Sequence, residues 1–364
     1  MGAVKPQQTT RWAPRRPSRG LPLSGELSLA NGRRHRDHLL DRRPLARPLR
    51  LRQAGTMSNS RWTAADIPDL TGRTAIVTGA NSGIGLVTAE ELAAHGAQVT
   101  LAVRDVQRGR TAADQIRSRY PQAHVEIGNC DLANLTSVRE FASVWVDGHP
   151  QGLDLLINNA GVMAIPRRES ADGFEMQLAT NHLGHFALTG LLLGTISDQG
   201  RIVNVSSGAH RMGRMKFDDL MGERRYSPWS AYGQSKLANL LFTNELSRRL
   251  SREGASVLAL AAHPGYAATN LQSVGPTMSG SKVQGALTAL ANRLIAQSPE
   301  MGALPTLYAA VQPGLCGGDY VGPSGLGETR GHPRSVGMSA AARDPLDAKR
   351  LWDVSEDLTG VRYL

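Results

Sequence analysis

From Arg73 onward, short runs of β-branched and apolar residues alternate with longer stretches in which apolar residues recur every three or four positions. The short runs have the character of strands and the longer stretches that of amphipathic helices. Strands are predicted over TAIVT (74–78), QVTLAV (98–103), HVEIG (124–128), LDLLIN (153–158), RIVNVS (201–206) and SVLALAA (256–262), with a short seventh over 319–321. Helices are predicted over Gly85 to His95, Gln107 to Ser118, Leu135 to Trp145, Gly173 to Leu193 and Ala231 to Leu250. In the first helix Leu86, Ala89, Leu92 and Ala93 share a face, and Gly96 supplies the stop. Strand and helix in regular turn describe βαβ units around a parallel sheet. No internal repeat or linker divides this region, so residues 57–364 are expected to form a single α/β domain. Two stretches, 208–230 and 271–281, carry Gly, Pro, Ser and Met without a period and are expected to be surface loops. Loops beside the carboxyl ends of parallel strands are where such sheets hold ligands.

Charge changes this picture at one end only. Residues 1–56 hold 13 basic against 3 acidic side chains, which accounts for the whole formal net charge of +10. The remainder is balanced, so charge gives no reason to expect a nucleic-acid partner. The basic segment is rich in Arg, Pro and Gly and is expected to be disordered. It reads as a solvated arm, a targeting segment or upstream sequence ahead of a start at Met57. The last is preferred here, because prolines at 14, 17, 44 and 48 spoil an amphipathic targeting helix. Cys130 and Cys316 lie far apart without metal-spaced neighbours, so neither a disulfide framework nor a zinc site is expected. No unbroken run of about 18 apolar residues offers a membrane span. A soluble, cytoplasmic protein is the expectation.

The turn TGANSGIG follows the first strand and opens the first helix. Gly79, Gly83 and Gly85, with Asn81, Ser82 and Ile84 between them, would let the backbone approach a pyrophosphate and aim helix-start N–H groups at it. The spacing is G-x-x-x-G-x-G, not the commoner G-x-G-x-x-G. At the end of the second strand, where an acid would bind the ribose of NAD, the sequence reads LAVRDVQRG. Arg104 and Arg108 suit a 2′-phosphate and favour NADP(H). Asp105 argues for NAD(H), since a small shift would bring its carboxylate to the ribose.

TGANSGIG, NNAG at 158–161, VNVSS at 203–207, YGQSK at 232–236 and HPGYAAT at 263–269 together resemble the short-chain dehydrogenase/reductase family over roughly residues 70–323. NHLGHFALT, the long insert before Tyr232 and SKLANLLFTNEL resemble its retinol-dehydrogenase-like branch. The resemblance implies a single Rossmann-type domain, a doubly wound parallel sheet of about seven strands. It implies that Asp131 and Leu132 border the adenine and that Asn159, Ala160 and Gly161 let the backbone pass close to the cofactor. By the same likeness Pro264, Gly265 and Thr269 hold the carboxamide. Homo-oligomers paired through helices such as 231–250 are a further family habit.

Tyr232 and Lys236 stand one helical turn apart, on one face. Bringing a phenol from about 10 to about 7 requires roughly 4 kcal/mol, and a cation about 4 Å away at an effective dielectric near 20 supplies about that. Tyr232 is thus a candidate general acid or base, with Lys236 also reaching the nicotinamide ribose. By resemblance, Ser207 holds the substrate oxygen and Asn181 breaks its helix locally to hold a water that relays protons to Lys236. Ser206 is the neighbour most easily confused with Ser207. Met212, Met215, Phe217, Met221 and Trp229 are offered as walls for an apolar alcohol or carbonyl substrate. A non-catalytic NADP(H) sensor is the alternative; it could have discarded Tyr232 and Lys236, and both are present.

Overall fold

The computed structural model describes residues 61–266 and 297–363. The basic segment 1–56, Thr269 and the loop 271–281 lie outside the described residues.

Eight strands form one sheet in the order β3-β2-β1-β4-β5-β6-β7-β8. They are β1 (Thr74–Thr78), β2 (Gln98–Val103), β3 (His124–Asn129), β4 (Leu153–Asn158), β5 (Ile196–Val205), β6 (Leu258–Ala262), β7 (Tyr320–Pro323) and β8 (Pro333–Ser335). All pairings from β3 through β7 are parallel, and β8 closes the edge of β7 antiparallel. The expected seven-stranded parallel sheet is therefore present, with an added three-residue strand that the short PRS segment gave no reason to predict.

Alternation along the strands builds the two layers. Ala75, Val77, Val99, Leu101 and Val103 pack against α1 (Gly83–Ala94) and α2 (Val106–Arg119), while Ile76 and Ala102 point to the other layer. That second layer is built on α3 (Leu135–Gly148), which sends Val138, Phe141, Ala142 and Trp145 inward. Side chains of period two on strands facing stripes of period 3.6 on helices are what a doubly wound sheet requires. Chain order reverses between β1 and β4, so the crevice at their carboxyl ends is the topological switch point where such sheets bind ligands.

The helix expected over 173–193 is not continuous. A single turn, α4 (Met176–Leu178), runs into a wide π turn (Ala179–Leu183) and then into α5 (Gly184–Leu192). The predicted 231–250 helix is α6 (Pro228–Arg252), begun by Pro228 in its first turn. Two further helices, α7 (Pro299–Val311) and α8 (Pro345–Thr359), were not anticipated. Helix α8 packs on α6, the helix through which subunit pairing was expected. Its Trp352, 1% exposed, meets Phe186, Phe242 and Tyr363 at ring-centroid distances of 5.2, 5.9 and 4.7 Å, and the Arg249 guanidinium lies 4.2 Å above it. Among the described residues no helix is long and apolar enough to cross a membrane.

Replacing Trp352 by Ala should cost about 3–5 kcal/mol of stability by leaving a hole among these rings. Urea unfolding of the two proteins measures this, and a loss below about 1 kcal/mol would mean that α8 is not part of the cooperative core.

Candidate active site

The turn after β1 is shaped by close contacts. Gly79 has φ +66°, and a Cβ there would lie 3.0 Å from Ala160 Cα; a Cβ on Gly85 would fall 2.4 Å from Asn159 Nδ2. Gly83 also takes a positive φ, 58°. Only glycine fits a turn this tight against the NNAG segment. Ser82 is the N-cap of α1 but makes no side-chain cap, whereas Asp105, Asn134 and Asp344 cap α2, α3 and α8. The first-turn N–H groups of α1 are thus left for an anion. Asn81 and Ile84 line the same turn, half-buried.

One hydroxyl that sequence reading passed over organises this region. Thr78 Oγ1 accepts from the N–H groups of Asn159 and Ala160 at 2.9 and 3.0 Å, and Asn159 Nδ2 donates to the Thr78 carbonyl at 2.8 Å. The Thr78 hydroxyl lies 2.9 Å from His185 Nε2, and His185 Nδ1 lies 3.1 Å from the Asn181 carbonyl. Since a carbonyl can only accept, Nδ1 carries the proton and Nε2 accepts from Thr78. Burial pushes His185 down to about 3, which keeps that neutral form. A threonine at the carboxyl end of the strand, directly ahead of the glycine turn, was the available signal.

Arg104 follows β2 directly and is exposed, as is Arg108. The Asp105 carboxylate turns back to accept from the Arg108 N–H at 3.0 Å as the cap of α2. Its charge is committed to the helix start, which weakens the case for its reaching a ribose. Asp131 is not the N-cap of α3; that is Asn134, and Asp131 Oδ1 accepts from Ala133 N at 3.0 Å beside buried Leu132. Pro264 and Gly265 follow β6, and a Cβ on Gly265 (φ +69°) would strike the Thr329 carbonyl at 2.4 Å.

Tyr232, Lys236 and Asn181 are 4%, 3% and 0% exposed, so all three sit within the protein. Asn181 lies in the π turn, in agreement with the expected local break. Its Oδ1 accepts from Val162 N at 2.8 Å, and its Nδ2 donates to Val162 O and Ser235 Oγ, each at 2.9 Å. The side chain is therefore a clamp between the NNAG segment and α6. A Cβ on Gly161 would come 3.0 Å from Asn181 Oδ1 and 3.4 Å from Lys236 Nζ, so this glycine brings the two together. Ser206 Oγ donates to the Lys236 carbonyl at 2.8 Å, which ties β5 to α6. Ser207 is the serine close enough to Tyr232 to favour its charged form, against the larger effect of burial.

The expected Tyr–Lys electrostatics need correction. Lys236 Nζ donates to the Val205 carbonyl at 3.0 Å and lies 5.9 Å from the Tyr232 ring centre. Burial dominates both groups: it pushes Tyr232 up to about 12, against the lowering by Ser207, and Lys236 down to about 8. Desolvation of each charged form outweighs attraction across that gap. The protein alone holds the phenol protonated.

The insert lies directly on α6: a Cβ on Gly213 would meet the Gly233 carbonyl at 2.3 Å. Met215, Phe217 and Met221 pack into the domain, as surface-loop hydrophobes commonly do, while Met212 (62%) and Trp229 (49%) remain exposed. The Trp229 ring stands edge-on to Tyr232, 6.1 Å between centres.

A doubly wound sheet with a glycine turn at its switch point, and Tyr232, Lys236, Ser207 and Asn181 on the elements around it, is the architecture of a dehydrogenase of the short-chain type. The family profile described as short chain dehydrogenase matches residues 73–278, and the chain belongs to that family. Its relatives place it in the retinol-dehydrogenase-like branch as an oxidoreductase acting on CH–OH donors. It is similar to human retinol dehydrogenase 13 (44% identity; 80% of this chain and 85% of that one). It is also similar to mouse retinol dehydrogenase 11 (42%; 80% and 88%) and human retinol dehydrogenase 12 (41%; 81% and 88%). Among solved structures it resembles an uncharacterised protein from Mycobacterium paratuberculosis, with TM-score 0.70, 48% identity, and coverage of 84% of this chain and 100% of that one. A protein assigned as an NAD(P)-dependent gluconate 5-dehydrogenase from Beutenbergia cavernae, with NADP bound, gives TM-score 0.52 at 26% identity, covering 67% and 91%.

Lys236 yields a pH signature. With its folded pKa near 8 and an unfolded value of about 10.4, the unfolded chain holds more protons between the two. Stability contributed through Lys236 is therefore low below the folded value and rises with pH across that window. Urea unfolding of wild type and Lys236→Met at rising pH should show wild type gaining on the variant by on the order of 3 kcal/mol. A gap that does not move with pH would show that the ammonium is not desolvated.

Proposed function

We propose that the chain is an NADP(H)-dependent oxidoreductase that interconverts a lipophilic alcohol and its carbonyl. The observation that carries this reading is the convergence of Tyr232, Ser207, Lys236 and Asn181 beside the uncapped start of α1. The residues fit a dinucleotide: Gly79 and Gly85 leave a cradle that side chains would fill, and the α1 N–H groups suit a pyrophosphate. Arg104 and Arg108, with Asp105 turned away, suit a 2′-phosphate.

When bound, the nicotinamide supplies or accepts the hydride. The chain's residues handle the proton and the developing charge. Ser207 Oγ donates to the substrate oxygen and stabilises charge forming there. Tyr232, held protonated by burial, gives its proton to that oxygen in reduction; in oxidation its own proton must first leave by the proposed water toward Lys236, and the phenolate then takes the proton of the alcohol. Lys236, fixed on the Val205 carbonyl, places a nearby positive charge and reaches the ribose. Asn181 holds the π turn open, and its proposed partner is a water leading to Lys236. Trp229 and Met212 offer apolar surface at the mouth, and the relatives bearing the name retinol dehydrogenase point to long apolar alcohols as substrates.

NADPH consumption against a panel of retinoid, sterol and medium-chain carbonyls tests this reading. Tyr232→Phe should lower kcat by about 10²–10⁴-fold with cofactor binding retained. Full-speed turnover in that variant refutes the assignment, and cofactor binding without turnover of any substrate would favour the sensor.

For cofactor choice, Arg104→Ala should raise KM for NADPH about tenfold, the loss of one charge-assisted bond, and leave KM for NADH nearly unchanged. Equal effects on both cofactors would remove Arg104 from the 2′-phosphate site.

A further inference from the structure

Behind Ser207 and the Pro264–Gly265 turn lies a polar cluster that the proposed chemistry does not use. Its members come from three places in the chain: His210 and Arg211 after β5, His263 after β6, and Tyr320 and Glu328 in and after β7. His263 is 1% exposed. Its Nδ1 accepts from Gly265 N at 3.3 Å, so the proton sits on Nε2, which lies 3.2 Å off-axis from Glu328 Oε2. Arg211 Nη2 donates to both Glu328 oxygens at 3.1 Å and to the Gly337 carbonyl at 3.0 Å. On the other side, His210 Nδ1 donates to the Ser207 carbonyl at 2.7 Å, and its Nε2 accepts from Ser339 N at 3.3 Å. The Tyr320 ring packs against both histidines, with centres 5.1 Å from His263 and 5.5 Å from His210.

The backbone is fitted around this arrangement. A Cβ on Gly322 would fall 2.1 Å from His263 Nε2. Glu328 itself takes φ 56°, a left-handed conformation that non-glycine residues avoid, immediately after Gly327 at φ 61°. Tyr266 N donates to the Thr329 carbonyl at 2.8 Å, so the residue after Glu328 touches the residue after Gly265. Burial pushes His263 down to about 4, so it stays neutral at physiological pH with both nitrogens assigned.

We infer that Glu328 is a positioning residue: anchored by Arg211, it holds the neutral His263 ring, and so sets the His263–Pro264–Gly265 turn that meets the nicotinamide end of the cofactor. This rests on the NADP(H) reading above. On that reading the adenosine half would lie along β2 and α1, several strands away from β7 and the Glu328 turn that follows it.

Full-length wild type, Glu328→Ala and Glu328→Gln are compared with two probes. Adenosine 2′,5′-bisphosphate reports the adenosine half by calorimetry, and NADPH reports the nicotinamide end by its dihydronicotinamide fluorescence. Glu328→Ala is expected to weaken NADPH about tenfold and to shift its bound fluorescence, with the bisphosphate Kd within about twofold of wild type. Glu328→Gln, which keeps an oxygen beside His263 Nε2 and the packing of the turn, should recover most of the affinity and the spectrum. Should the Ala variant fail to fold, Arg211→Gln, which loosens the carboxylate in place, should give the same selective loss in smaller measure. Equal weakening of both probes, or no change in either, overturns the inference. Wild type that binds NADPH but reduces no carbonyl sinks the proposed reaction alone, and the fluorescence comparison still decides the role of Glu328. Wild type that binds neither probe overturns both.

Discussion

Burying a phenol and an amine side by side imposes the central constraint on this molecule. Neither Tyr232 nor Lys236 can ionise cheaply where it sits, and the protein must give each a fixed polar contact. The Lys236 ammonium takes the Val205 carbonyl, which also accepts from Asn239 Nδ2 at 3.1 Å. Ser207 stands beside the phenol and favours its charged form. Those contacts fix the end of β5 against α6, and Ser206 repeats the tie from the strand to the Lys236 carbonyl. A second buried chain runs from Asn158 through Asn204 to Thr243, with bonds of 2.8 and 3.0 Å. Each buried polar group left without its partner would cost about 1–3 kcal/mol, so these networks hold the register of strands and helix together.

The same logic explains the π turn. An unbroken helix would carry side chains past the site in ordinary steps, whereas the wide turn at Ala179–Leu183 turns Asn181 inward to bond both the Val162 backbone and Ser235. His185 then reaches back to Asn181 and forward to Thr78. In this way the glycine turn after β1, the NNAG segment and the face of α6 that carries Ser235 belong to one connected body.

Most of the fold could be read along the chain because strand and helix periods differ and Gly79, Gly83, Gly85 and Gly96 punctuate them. What escaped did so for physical reasons. Helix α7 carries Pro299 at its start and Pro305 within it, which breaks the usual helix signature, although Ser298 caps it. Helix α8 was in fact legible: Asp344 caps it, Pro345 opens it, Gly360 at φ 63° ends it, and Ala348, Leu351, Trp352, Ser355 and Thr359 form its buried stripe. Residue types revealed Tyr232, Lys236 and Asn181. Their hydrogen-bond partners were not legible, because which carbonyl a buried ammonium meets is a tertiary matter. The roles of Thr78 and His185 depend on strand β1 meeting α5 across 107 positions, a pairing no local pattern contains.

Strand β8 is three residues long and begins with Pro333, which has no N–H to offer a further strand. At the opposite edge, Arg117 reaches across to donate to the Val125 carbonyl of β3 at 2.6 Å. Among the described residues the β8 border is too short to present a long, bare ladder of hydrogen-bonding groups, the template on which sheets of separate molecules fuse, and the β3 border has one carbonyl already engaged. A proline at the head of a three-residue border strand thus blunts edge-to-edge association at that side of the sheet.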